Sequence, residues 1–221
     1  MNNGNGQPHR VAPTRMVFNC EKYHRRSIRL KNFDYSYPCF YFITICSQKH
    51  FCLFGNVEKY EMKLNDAGIM VRHWWEEIKQ KFSVVKLDEY TIMPNHLHGI
   101  IVLKPDGIND NGEYLPSGVS IPNIIEWFKT MSTNNYIRNI KQKGWERFEK
   151  RLWQRNYYEH IIRNDESLDT IRHYIRINPL YWLCDKYNAD RNKITRDDLT
   201  RLLLEYGFTK EGIEKIKHIK M

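Results

Sequence analysis

Between Phe40 and Ser47 the chain is aromatic or β-branched at almost every position, which predicts a buried strand. A hairpin follows from Phe51 to Leu64, turning around Asn56 to Tyr60. Asn65 or Asp66 then caps a helix whose apolar residues Ala67, Val71, Trp74, Trp75 and Ile78 keep helical spacing. That spacing assigns both tryptophans to the core rather than to a base-stacking platform. Leu87 to Met93 and His96 to Leu103 read as two strands joined at Pro94-Asn95, and they should form the centre of a sheet. After a turn-rich stretch, Pro122 opens a helix to about Ile140 that offers Ile124, Ile125, Phe128, Met131 and Ile137 for burial. Trp153 to Ile162 reads as a further strand. Asp165 or Ser167 starts a helix that Asn178-Pro179 ends. Thr195 to Tyr206 and Thr209 to Ile219 are two capped amphipathic segments divided by Gly207, with Leu202-Leu203 and Ile213-Ile216 as their apolar faces.

Composition changes this picture in two ways. Among 221 residues, 35 Lys and Arg outweigh 26 Asp and Glu for a net charge of +9, which favours a polyanionic partner over a neutral one. The five cysteines form no Cys-x-x-Cys pair and no secretory signal precedes them, so a reduced, cytoplasmic setting is expected. The longest apolar runs fall far short of the roughly 20 residues that span a bilayer, and a soluble protein is expected. The expected organisation is a flexible basic arm over residues 1–33, a catalytic domain over 34–185 and a helical extension over 186–221.

Two patterns carry candidate chemistry. Alternate residues of a strand share a face, so His96 and His98 project together and can share one ion. Gly99 removes bulk from the opposite face. Imidazoles suit borderline metals, while a phosphate substrate with a carboxamide or carboxylate as third ligand suits Mg²⁺ or Mn²⁺; an ordinary pair of strand histidines is the alternative. On the later helix, Tyr174 and Asn178 are four apart and should lie side by side, with Ile171 one turn below. A phenol with a pKa near 10 is a poor nucleophile unless an ion polarises its phosphate target. Arg25, Arg26 and Arg29 in the amino-terminal arm could track a phosphate backbone, or belong to a solvated linker. Arg151, Arg155, Arg163, Arg172 and Arg176 around the tyrosine segment are candidate phosphate clamps, and Lys129 could face DNA or solvent.

Four stretches together carry a resemblance: Arg26 to Leu30, Tyr90 to Gly99, Trp153 to Asn164, and Tyr174 to Pro179. They resemble the REP-associated tyrosine transposases, a branch of the single-tyrosine HUH transposases, over roughly Arg25 to Trp182. The resemblance implies an α+β fold in which helices pack on an antiparallel sheet, ferredoxin-like or RRM-like, with a helical carboxy-terminal extension. It implies that His96 and His98 are metal ligands, Asn178 the third ligand and Tyr174 the nucleophile. It further implies Mg²⁺ or Mn²⁺ as cofactor and single-stranded or hairpin DNA as partner, cut through a 5′-phosphotyrosine intermediate and rejoined without a nucleotide cofactor, by a monomer or homodimer.

Three other readings compete. One is a DNA-binding repressor that kept the fold and lost the chemistry; another is a metal-dependent nuclease that uses water. An RNA-binding module is disfavoured because the aromatic ribonucleoprotein motifs are absent. Tyr157 and Tyr158 are rival nucleophiles, but they sit in an expected strand and neither has a carboxamide at helical spacing. His160 and His173 read as structural or solvated, with His173 facing away from Tyr174.

Overall fold

A computed structural model describes residues 33–188 and 195–217. Arg25, Arg26, Arg29 and the Arg26 to Leu30 stretch lie outside the described residues.

The strands are β1 (Phe40–Cys46), β2 (Gly55–Glu58), β3 (Glu61–Leu64), β4 (Val85–Ile92), β5 (His96–Leu103) and β6 (Tyr158–Ile162). The helices are α1 (Asp66–Lys81), α2 (Ile121–Lys143), α3 (Asp165–Arg176), α4 (Asn178–Tyr181), α5 (Arg196–Glu205) and α6 (Lys210–Lys217). β2 and β3 form the expected hairpin, with Lys59 and Tyr60 at positive φ in its turn. The other four strands make one antiparallel sheet in the order β4-β5-β1-β6. With the hairpin set aside, the chain runs β-α-β-β-α-β, which is the ferredoxin-like arrangement.

Strand alternation sorts the apolar residues onto two faces. Tyr41, Ile43 and Ile45 of β1, with Leu97, Ile101 and Leu103 of β5, join the cluster under α1 and α2. Phe42 and Ile100 join the cluster under α3. α1 begins at an Asn65 cap whose side chain accepts from the Gly68 amide, and it buries Trp75 completely, while Trp74 packs against the core in part. Gly99 sits directly beneath Trp75: a Cβ there would lie 2.4 Å from Trp75 Cζ2. The glycine therefore serves the helix side of the strand, while the histidines occupy the other.

Four details differ from the sequence expectation. β4, expected to share the centre of the sheet with β5, is an edge strand, and β1 takes the central place beside β5 because β6 pairs onto its far side. The Trp153 to Ile162 stretch is a strand only from Tyr158. Trp153 makes an isolated bridge to Ser47 and is buried, its indole donating to Ser132 Oγ at 2.9 Å, while residues 154–156 are held off the ladder as a loop. On α2, Ile124, Ile125 and Phe128 are buried as expected, but Ser132 and Tyr136 complete the stripe, Met131 is only half-buried and Ile137 is 39% exposed. Asn178-Pro179 does not stop the helical path. α3 breaks at Ile177 (φ −93°, ψ 4°) and α4 restarts at once, with Pro179 in its first turn where a missing N–H costs nothing.

α5 and α6 place Leu199, Leu203 and Ile213 in the cluster on the α3 side of the sheet. The side chain of Ile216 falls outside the described residues. No helix among the described residues is long and apolar enough to cross a membrane.

Candidate active site

β5 delivers both imidazoles to the α3 side of the sheet, with ring centroids 4.5 Å apart. Both are buried, His96 at 6% exposure and His98 fully. Each ring is held at Nδ1. Asn95 Nδ2 reaches the His50 carbonyl at 3.4 Å, which turns Asn95 Oδ1 toward His96 Nδ1 at 2.5 Å. Oδ1 can only accept, so the His96 proton lies on Nδ1 and Nε2 keeps its lone pair. His98 Nδ1 meets Thr44 Oγ1 at 2.8 Å, because Thr44 and His98 are register partners in the β1-β5 ladder. These contacts orient the rings as outer-shell partners do in metal sites.

α3 supplies the remaining groups across the sheet face. Its amphipathic pattern buries Leu168, Ile171, Tyr174 and Ile175, and this stripe carries the phenol inward. Tyr174 Oη lies 3.2 Å from His98 Nε2, and the ring packs edge-on against Phe42. Just past the break at Ile177, Asn178 Oδ1 stands 3.3 Å from His96 Nε2. The Asn178 amide supports the Tyr174 oxygen. Two acceptors, a nitrogen lone pair and a carboxamide oxygen, thus face each other across 3.3 Å. Adjacent ligands of an ion bound at about 2.1 Å stand about 3 Å apart, so the pair suits a shared cation. No third His, Cys, Asp or Glu joins the two histidines among the described residues.

Burial sets the protonation of the groups. Desolvation lowers the His96 pKa to about 4, with the Asn178 contact opposing it, and it holds His98 well below the ordinary histidine value, aided by His96. Both imidazoles are neutral at pH 7, as ligation requires. Burial pushes the Tyr174 phenol up, while the Asn178 amide pulls it down. An unaided phenolate is therefore scarce, and activation has to come from a positive charge beside the oxygen or beside its target.

A hollow of about 590 Å³ opens beside the histidines. Its lining includes Thr44, His96 and His98 together with His50, Gln154, Asn156 and Tyr187. A larger hollow, about 740 Å³, lies between β4 and α3 and contains neither histidine. Ion pairs occupy it. Arg172 grips Asp88 through two bonds, Nε to Oδ1 at 2.8 Å and Nη2 to Oδ2 at 2.7 Å, and Arg176 reaches Glu89. The register shift between Leu87 and Tyr90 is what places both carboxylates within reach of α3.

The structure thus brings His96, His98, Tyr174 and Asn178 together, and it engages three of the other candidates, Arg172, Arg176 and Lys129, within the chain. Arg172 and Arg176 are committed to carboxylates of this chain and tie α3 to β4. Lys129 is likewise turned inward: its ammonium contacts the carbonyls of Gln154, Arg155 and Asn156 at 2.9, 3.3 and 3.3 Å and lies 5.3 Å from the Tyr157 ring centroid. Arg155 and Arg163 are exposed. Among the rival tyrosines, Tyr158 packs against Phe42, and His173 lies against Phe208, away from the phenol. The sequence reading missed Thr44, Asn95 and Gln154. Thr44 was recoverable from strand register alone, since it stands opposite His98.

A model of the family described as Transposase IS200 like matches residues 40–178, from the start of β1 through Asn178. The chain belongs to the IS200-like transposase family. An uncharacterized protein of Haemophilus influenzae (strain ATCC 51907 / DSM 11121 / KW20 / Rd) is 39% identical over 178 residues, covering 78% of this chain and 98% of that protein. Among solved structures, a REP-associated tyrosine transposase bound to a REP hairpin is 20% identical, covers 71% of this chain and 73% of its own, and has a TM-score of 0.46. A Deinococcus radiodurans R1 protein assigned as a transposase is 16% identical, with coverage of 67% and 96% and a TM-score of 0.39. Membership rests on the family match. The matched span holds all four clustered side chains of this IS200-like transposase.

Proposed function

We propose that this IS200-like transposase cuts and rejoins single-stranded DNA with Tyr174 as nucleophile, acting on hairpin-forming repeats as the REP-associated branch does. The observation that carries the reading is the convergence of Tyr174 Oη and Asn178 Oδ1, from one chain segment, on the Nε2 atoms of His98 and His96, from another, at 3.2 and 3.3 Å.

His96, His98 and Asn178 would hold a divalent ion, Mg²⁺ or Mn²⁺, whose contribution when bound is to polarise and orient a phosphate. The protein's part is positional. Thr44 and Asn95 fix the imidazoles, Asn178 steadies the phenol oxygen, and the α3 stripe holds the ring against Phe42. As Tyr174 Oη bonds to phosphorus, the phenol proton leaves, the bond from phosphorus to the 3′ oxygen breaks, and that oxygen takes up a proton. The phosphotyrosine ester conserves the bond, and a different 3′-hydroxyl can reverse the step and join a new strand. Arg155 and Arg163, both exposed, are offered to the DNA backbone, alongside Arg25, Arg26 and Arg29 of the arm.

Single-stranded hairpin oligonucleotides incubated with the protein and Mn²⁺, then run on a denaturing gel, test the reading. A covalent protein-DNA band that disappears in Tyr174→Phe and in His96→Ala is expected. Cutting that persists in Tyr174→Phe would mark a nuclease that uses water. Hairpin binding with no cleavage in either Mg²⁺ or Mn²⁺ would mark a repressor on the same fold.

A further inference from the structure

The hollow beside the histidines is also lined by residues that the strand-transfer reading does not use. Gln154, Asn156, His50 and Tyr187 are among them. At about 590 Å³ the hollow has the size of a small-molecule site rather than a crevice for solvent.

This wall is rigid. The Gln154 amide nitrogen donates to the Cys46 carbonyl at 2.9 Å, at the end of β1, directly after the Ser47-Trp153 bridge. The Lys129 ammonium spans the next three carbonyls. A loop of three residues held by one half-buried lysine and a sheet hydrogen bond is pre-organised, which is what selective recognition needs.

Its polar groups have a fixed sense. Gln154 Nε2 lies 3.1 Å from the Ser47 carbonyl, an acceptor only, so the NH₂ end of the carboxamide must point there; the same nitrogen meets His50 Nε2 at 3.0 Å. That leaves Gln154 Oε1 with no protein partner among the described residues. The Asn156 side chain, two residues on, also has none. Beside them the His50 and Tyr187 rings are stacked, centroids 3.9 Å apart and planes within 12°.

Carboxamides with open hydrogen-bonding edges next to aromatic faces are the chemistry that reads an unpaired nucleobase. We propose that this part of the hollow is a nucleobase subsite, taking one unpaired base adjoining the phosphate that reacts; the proposal rests on the strand-transfer reading above. An acceptor-only Gln154 Oε1 facing the position of adenine N6 or cytosine N4 selects the bases that carry an amino group there, and discriminates against thymine and guanine, which carry a carbonyl at that position.

The test uses the full chain, Mn²⁺ and a hairpin oligonucleotide in which each unpaired base flanking the cleaved phosphate is varied in turn. At one position, adenine or cytosine should form the covalent adduct at least tenfold faster than thymine. Gln154→Met should reduce that ratio to within twofold. Asn156→Ala, at an exposed residue whose side chain has no partner to lose, should reduce it at least threefold with the circular dichroism spectrum unchanged. No base preference at any flanking position overturns the proposal, and so does a preference that both variants keep in full. If the wild-type protein forms no adduct, the strand-transfer reading has failed on its own. Fluorescence anisotropy with the same oligonucleotides then decides the subsite: tenfold weaker binding of thymine that Gln154→Met abolishes supports it, and equal binding of all bases overturns it.

Discussion

The two faces of the central sheet share strands but obey different rules. Under α1 and α2, Leu97, Ile101, Trp75, Phe128 and their neighbours make an apolar core in which Gly99 is small because Trp75 needs the room. Under α3, the same strand presents His96 and His98, and the facing groups are Thr44, Tyr174 and Asn178. Burial is equally complete on both sides. The first face converts it into stability by excluding water from hydrocarbon. The second uses it to keep imidazoles neutral and a phenol protonated, and each buried polar group there requires a partner.

That contrast breaks most sharply at His98. Under the proposed chemistry, replacing it with Ala removes a metal ligand as well as the contact to Tyr174 Oη, and an ion's stabilisation of a reacting phosphate is worth several kcal/mol. Adduct formation should fall by about 10³-fold, while circular dichroism shows a folded sheet. Retained adduct formation would mean that the polar face is not the reactive one.

A smaller effect is expected one contact away. Thr44→Val keeps the shape and removes the oxygen that holds His98 Nδ1 at 2.8 Å. Loss of such an outer partner lowers metal affinity by about 10- to 100-fold, to be read by calorimetric titration with Mn²⁺. Unchanged affinity would show that packing, rather than Thr44, orients the ring.

Gly99→Ala probes the other face at the next residue along. The new methyl would meet Trp75 within 2.4 Å, so the indole or the strand must shift, at a cost of about 1–3 kcal/mol in urea denaturation. Adduct formation per folded molecule should stay near the parent level. A variant that keeps its stability but loses chemistry would invert the comparison.

Much of this was legible in the sequence because both periodicities were clean. His-Leu-His at strand spacing placed the imidazoles on one face, and Tyr174 with Asn178 at helical spacing placed phenol and carboxamide together. The antiparallel α+β architecture was what the resemblance implied, and the order of strands and helices agrees with it. What resisted reading was the use of charge. Lys129 and Arg172 looked like surface cations fit for DNA, because nothing local reveals that three carbonyls 25 to 27 residues away, or a carboxylate 84 residues away, will capture them. The loop at residues 154–156 was hidden for the same reason: its residues suit a strand, and a lysine from α2 takes the carbonyls that a strand would have offered to a ladder.

Arg172 gives the gentlest probe, since it joins the two regions by tying the helix of the polar face to the edge strand β4. The pair is only partly screened, with 31% of the arginine and 12% of the aspartate side chain exposed. Arg172→Ala should therefore cost about 1 kcal/mol or less at pH 7. The Arg172 guanidinium holds the Asp88 carboxyl below its ordinary value. Its share of stability is thus fully present above the unfolded carboxyl pKa of about 3.9 and fades as pH falls through the lower folded value. Urea denaturation of parent and variant should differ at pH 7, begin to converge as pH falls below about 4 and coincide only below the folded carboxyl value. If the difference persists in acid, Arg172 acts through the packing of its aliphatic stem, and the tie between helix and strand is apolar rather than ionic.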